Sequence, residues 1–214
     1  MPMLSTLRNW RTPVLAFVIT LGLAEGALWL IARQTQERQL VALQTRAVDL
    51  RTLLLTELNT SLYLANGVEA FIKANQGAVA PAVLDPWMKT LIQDASYIRN
   101  IGLAPGNRIT YIWPLEGNEQ ALGLYYPDLP TQWSLVEKII QRGLPSLSPP
   151  IKLVQGGSGL IYRIPVFLQN QQYWGMVSTV LDAETLFAFL DRHAQQLDLN
   201  MSLSVSGQAS DSVG

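Results

Sequence analysis

The chain has 214 residues, 49% of them hydrophobic and 14% charged, with a formal net charge of −1. That is too apolar for a disordered chain, and it lacks the basic excess that binding nucleic acid requires. With no cysteine, disulfide frameworks and thiolate chemistry are excluded, while the compartment stays open.

Residues 1–12 carry Arg8 and Arg11 and lead into PVLAFVITLGLAEGALWLIA at residues 13–32. At about 1.5 Å per residue, a helix over that apolar run covers about 30 Å, the thickness of a bilayer's hydrocarbon core. A cleavable signal peptide has a shorter apolar stretch and a small-residue cleavage site. Ala24-Glu25-Gly26 lies mid-run and makes a poor one, so a retained transmembrane anchor is expected. Arg8 and Arg11 favour a cytoplasmic N-terminus, although Arg33, Arg38 and Arg46 follow the segment. A large C-terminal portion translocates largely regardless of such charges, which puts it outside the cytoplasm, anchored in the inner membrane. Gly22 and Gly26 form a GxxxG pair that lets two helices approach closely, and a protonated Glu25 could hydrogen-bond across them. The alternative is a neutralised Glu25 that is merely tolerated.

From Arg33 to Asn75 there is no proline and one glycine, Gly67. Leu40, Leu43, Ala47, Leu50, Leu54, Leu58, Leu62, Ala65, Val68 and Ile72 recur at spacings of three or four, a helical stripe. Residues 33–75 therefore read as a stalk that becomes a packing helix, and self-pairing in a homodimer would bury its seam. After NQGAVAP, Asp85-Pro86 is expected to start a short helix, with Asp85 as its cap.

Strands are expected at 98–104 and 108–113 around a Pro105-Gly106 turn, then a helix at 131–143 ended by Gly143. Further strands follow at 151–154, 159–167 and 173–181, then a helix capped by Asp182 and an alternating strand from Leu197 to Val205. Residues 206–214 are a polar tail. Hairpin connections make the sheet mostly antiparallel, so the fold class is α+β with flanking helices and a domain over residues 76–205.

Catalytic signals are weak. QGGSG at 155–159 lies between strands, where a hairpin turn is far more probable than a phosphate loop. His193 is the sole histidine, and neither a metal-ligand spacing nor a nucleophile elbow accompanies it. No catalytic residue, metal or cofactor is assigned. A binding site has more support. Tyr111, Trp113, Tyr125, Tyr162, Tyr173 and Trp174 gather in the sheet region, either as pocket walls or as ordinary core. Arg163 stands in an otherwise apolar strand and requires water, an acidic partner or an anionic ligand.

In order, LAPGNRITYIWPLEGNEQALGL, LPSLSPPIKLVQGGSGLIYRIPVF and YWGMVSTVLDAETLF resemble a CHASE domain over roughly residues 40–205. That family is an extracytoplasmic sensory module of receptor histidine kinases and diguanylate cyclases. The resemblance implies a long helix followed by PAS-like structure, normally between two transmembrane helices. Plant members bind cytokinins. Glu116 falls where they place a ligand-binding aspartate, and Ser148 where they place a threonine. Tyr125 departs from the family, which often has an acidic residue there, so the ligand's identity is not carried over. The expected ligand-binding set is Tyr111, Trp113, Glu116, Ser148, Tyr162 and Arg163, with Gly22, Glu25 and Gly26 as the transmembrane dimer contact.

The leading expectation is a membrane-anchored periplasmic sensor that binds a small molecule and relays the signal across the membrane. The alternative is an anchored protein-interaction module, with an anchored hydrolase ranked well below both. The chain has neither a second apolar run nor an output motif, so it is expected to be the N-terminal part of a longer receptor, or a truncated product. A cyclase, phosphodiesterase or kinase domain would follow in the former.

Overall fold

The structure is a computed structural model that describes residues 5–93 and 95–200, with side chains from residue 12 onward. The chain divides into two compact units, residues 1–49 and 50–214. The first helix, α1 (Ser5–Ala74), supplies all the described structure of the first unit. Among the described residues it is the one helix long and apolar enough to cross a membrane. Its side chains in the first unit are almost all exposed, with Arg33 paired to Glu37 at 3.4 Å and lying over the Trp29 ring.

In the second unit, α1 is followed by α2 (Pro81–Leu91), β1 (Ile98–Pro105), β2 (Tyr111–Trp113) and α3 (Pro130–Arg142). Then come β3 (Ser146–Leu147), β4 (Ile151–Lys152), β5 (Ser158–Phe167), β6 (Tyr173–Asp182) and α4 (Ala183–Gln196). The sheet is antiparallel in the order β2-β1-β6-β5-β3, with β4 also on β5. β3 and β4 are two pieces of one edge, interrupted at Ser148-Pro149-Pro150. Prolines have no N–H to give a ladder, so pairing must stop there. The Ser148 hydroxyl fills the gap, accepting from the Ile161 N–H at 3.0 Å and donating to the Pro149 carbonyl at 2.9 Å.

β1, β5 and β6 are buried on both faces over most of their length, so both sides are covered. One face carries Ile101, Leu103, Ile164, Val166 and Val177, packed on Ala65, Val68 and Ile72 of α1 and on Leu84 and Met88 of α2. Towards one end of that face α4 adds Leu186 and Leu190, against Leu160, Leu181 and the α1 leucines 50, 53, 54 and 58. The opposite face carries Ala104, Ile112 and Met176, covered by Val136 and Ile139 of α3 and by Tyr126.

Several local expectations hold. Asp182 caps α4 by accepting from the Thr185 N–H at 2.8 Å, and Gly143 ends α3 in the left-handed conformation at φ 65°. The start of α2 differs. Pro81 occupies its first turn, so the helix begins four residues before Asp85. Asp85 then lies inside the helix, where its carboxylate accepts from the Tyr111 hydroxyl at 2.8 Å. Of the strand expected from Leu197 to Val205, residues 197–200 form a turn and irregular chain instead, as Leu197, Asp198 and Leu199 fold back onto α4 carbonyls. The remainder lies outside the described residues.

Candidate functional site

The strand registers align side chains into rows across the α3 face. Ile112 pairs with Gly102, Gly102 with Ser178, and Ser178 with Arg163. In the neighbouring row Asn100 pairs with Val180, and Val180 with Ile161. These residues floor a cavity. Gly102 matters because it contributes no side chain to the middle of the floor.

The roof comes from the segment after β2. Its backbone is tied down by Ile109 N–H to the Leu124 carbonyl at 2.9 Å, and by Gly123 N–H to the Ile109 carbonyl at 2.8 Å. Tyr126 N–H reaches the Asn107 carbonyl at 3.0 Å, which holds its ring over the sheet. Leu129 and Gln132 enter from the start of α3, and Leu153, Val154 and Gln155 from the hairpin between β4 and β5. About 510 Å³ of atom-free space lies within these walls and their mouth, but the centre of a water-sized sphere fits into only about 50 Å³ of it. That is well below the roughly 300–1,000 Å³ of a drug-sized site, so only a ligand of a few heavy atoms suits it.

Arg163 is 2% exposed on the cavity wall. Its Nη2 donates to Gln132 Oε1 at 2.5 Å, its Nε has no hydrogen-bond partner, and its guanidinium carbon lies 5.7 Å from the Tyr126 ring centre. Burial pulls its pKa below the usual arginine value, opposed by the Tyr126 phenol. Tyr126 Oη and Ser178 Oγ share a hydrogen bond at 2.8 Å.

A clasp of polar groups closes one side. Buried Asn118 Oδ1 accepts from Asn100 Nδ2 at 2.7 Å, from Arg99 Nε at 3.2 Å and from Gln155 Nε2 at 3.4 Å. Arg99 also donates to the Gly156 and Gln155 carbonyls at 2.7 and 3.0 Å. Asn118 Nδ2 in turn donates to the Pro114 and Glu116 carbonyls. One side chain thus joins the loop after β2, the first residues of β1 and the hairpin at the mouth.

Of the six ligand-binding residues expected from sequence, Arg163 lines this cavity. Tyr111, Trp113 and Tyr162 pack on the opposite side of the sheet, against the cluster that includes α1 and α2. Tyr111 and Trp113 also border an open depression with Asp85, Leu115 and Leu122. Burial first, then the hydrogen bond to Asp85, raises the Tyr111 pKa well above the tyrosine range. Glu116 is exposed, and the Ser148 hydroxyl is already bonded to Ile161 and Pro149. Gly22, Glu25 and Gly26 stand on the exposed surface of α1, where a Cβ on either glycine would meet nothing within 4 Å. Sequence reading missed Ser178, Tyr126, Gln132 and Gly102. The alternation Arg163–Ile161 on β5 was the one available signal for the α3 face.

A central antiparallel sheet with a long helix on one face and a small cavity on the other is a PAS-like architecture. The CHASE domain profile matches residues 69–213, more than half of the chain, and the chain belongs to that family. No curated protein is similar enough to count as a match. Among solved structures, an extracellular ligand binding receptor from Desulfohalobium retbaense is similar with a TM-score of 0.59 and 17% identity, over 70% of this chain and 26% of that one. The ligand-binding domain of the Pseudomonas aeruginosa amino acid chemoreceptor PctC, in complex with GABA, is similar with a TM-score of 0.55 and 14% identity. That match covers 68% of this chain and 64% of that one. The chain thus spans about a quarter of the first and under two thirds of the second, and at these identities the likeness establishes the fold.

Proposed function

We propose that this chain is the membrane-anchored, extracytoplasmic sensory part of a signalling receptor, and that its signal is a small molecule held in the cavity on the α3 face. The observation that carries the reading is the cavity itself: partly enclosed, mostly apolar, and walled by a buried guanidinium. Membership of the CHASE family supports it. So do the printed identities of the two similar domains, one an extracellular ligand binding receptor and the other a chemoreceptor domain holding GABA.

Residues 13–32 would cross the inner membrane, with 1–12 in the cytoplasm, 33–75 as stalk and packing helix, and 76–205 as the sensory domain. A homodimer would pair the α1 helices, with Gly22, Glu25 and Gly26 at the contact in the membrane. The output domain, a cyclase or a kinase, would lie in the remainder of a longer protein. The relay would use the sheet. On β5, Ile161 and Arg163 face the cavity while Tyr162 and Ile164 pack towards α1. A ligand that favours one packing of sheet on helix would shift α1, provided its affinity differs between the two arrangements.

The test is to spin-label exposed Leu43 in the full chain in nanodiscs. Distances between labels would be measured with and without each small molecule that raises the melting temperature. A change in the distance distribution is expected, and unchanged distances with the cavity occupied would refute the relay. A protein-interaction module is the second reading, favoured by exposed Leu115 and Leu122 beside Trp113 at the depression near β2.

A further inference from the structure

The charge balance of the cavity narrows what it can hold. Among the described residues that line it none is acidic, and Arg163 is the one cation. Among the described residues, no carboxylate forms an ion pair with Arg163. A guanidinium carries five N–H donors. Here one is taken by the neutral Gln132 amide, and buried Nε is left without a partner. A charge that is 2% exposed is costly unless something of opposite sign faces it, and proteins satisfy that demand by pairing. Gln132, the Tyr126 ring and the Ser178 hydroxyl surround the group with dipoles but supply no negative charge.

We propose that the ligand is a short-chain organic carboxylate whose charge pairs with Arg163, an inference that rests on the cavity being the signal site. Three features select this class. The planar guanidinium fork matches a carboxylate's two oxygens, as an ammonium would not. The Ser178–Tyr126 hydroxyl pair lies beside it to accept or donate a further hydrogen bond. Apart from the amides of Asn100 and Gln155, the rest of the lining, including Ile109, Ile112, Ile161, Leu153 and Val180, is apolar and narrow, which suits a few methylene groups. Inorganic phosphate is disfavoured, because it would bring about two charges to a single guanidinium and has no apolar part to bury.

The experiment is calorimetric titration of the full chain in nanodiscs with propionate and butyrate, against propionamide, butyramide and inorganic phosphate. Removing a hydrogen bond to a charged group weakens binding about tenfold or more, so each acid should bind at least about tenfold more tightly than its amide. Arg163→Gln should abolish that preference. If this variant fails to fold, the acid-to-amide ratio of the unaltered chain decides alone, together with loss of acid binding below about pH 5, where carboxylates protonate. Amides binding as well as acids would overturn the carboxylate class while leaving the cavity as the site. Acids binding undiminished to Gly102→Val, whose side chain enters the cavity floor, would overturn the cavity itself. Absence of acid binding, or tighter binding of phosphate, would overturn the carboxylate proposal.

Discussion

Arg163 and Ser178 face each other across β5 and β6 on the α3 side of the sheet, one bringing a buried charge and the other a hydroxyl tied to Tyr126. Both are under 6% exposed, on strands whose buried residues are mostly apolar. Polar groups placed this deep require partners, and the cavity lies where a partner would come from.

Asn118 should be the most sensitive polar position outside the cavity floor. Asn118→Ala removes the acceptor shared by Asn100, Arg99 and Gln155, and leaves buried Asn100 Nδ2 unpaired. A loss of about 2–3 kcal/mol in chemical denaturation is expected, since an orphaned buried donor bears its full desolvation cost. Faster hydrogen exchange should appear in the hairpin at residues 153–157, which Asn118 and Arg99 hold in place.

Thr179 should respond in the opposite direction. It is fully buried between Ile101 and Tyr162 on the α1 side, and its hydroxyl has no partner. Thr179→Val keeps the shape and removes an unsatisfied group, so thermal denaturation should show a gain of about 1 kcal/mol.

Gly175 should not tolerate a side chain. Its φ of 156° lies at the margin of the glycine region, and an added Cβ would come within 2.7 Å of the Pro105 Cα on the neighbouring strand. Gly175→Ala should force β1 and β6 apart and lower the melting temperature sharply.

Alkaline pH should destabilise the domain through its tyrosines. Burial raises the pKa values of Tyr111 and Tyr173, with Asp85 adding to the effect at Tyr111. Their neutral forms are favoured in the folded state, so this stability is fully present below the unfolded value of about 10 and is lost as pH rises above it. Denaturation midpoints should fall above about pH 10, and Tyr111→Phe should flatten that fall while weakening the domain at neutral pH through loss of the Asp85 hydrogen bond.

Most of the strands and the caps at Asp182 and Gly143 were readable in the sequence, because each depends on local periodicity or a local backbone requirement. The PAS-like order came from the resemblance to CHASE domains, and the strand expected from Leu197 was misread over residues 197–200. The face of the sheet that holds the cavity was not readable. SGLIYRIPVF is buried on both sides, so its alternation separates Tyr162 from Arg163 without saying which side is packed solid. Tyr111 and Trp113 drew attention as aromatics, yet they complete the α1 side. Gly102 carries its meaning through what it lacks, and Tyr126 through a loop whose path is set by contacts to residues 107–109. The start of α2 at Pro81 was hidden by Asp85-Pro86, which imitates a helix start one turn later.

The most direct test of the cavity as the signal site is a small-molecule thermal-shift screen on the full chain in nanodiscs, repeated with Gly102→Val and Trp113→Ala. At Gly102 a Cβ would have only ordinary contacts, the nearest at 3.8 Å to Ile109, so a valine there should fold and fill the floor. The account predicts molecules that stabilise the unaltered chain and Trp113→Ala but not Gly102→Val. Molecules that still stabilise Gly102→Val and fail on Trp113→Ala would contradict it, and would move the site to the depression beside β2.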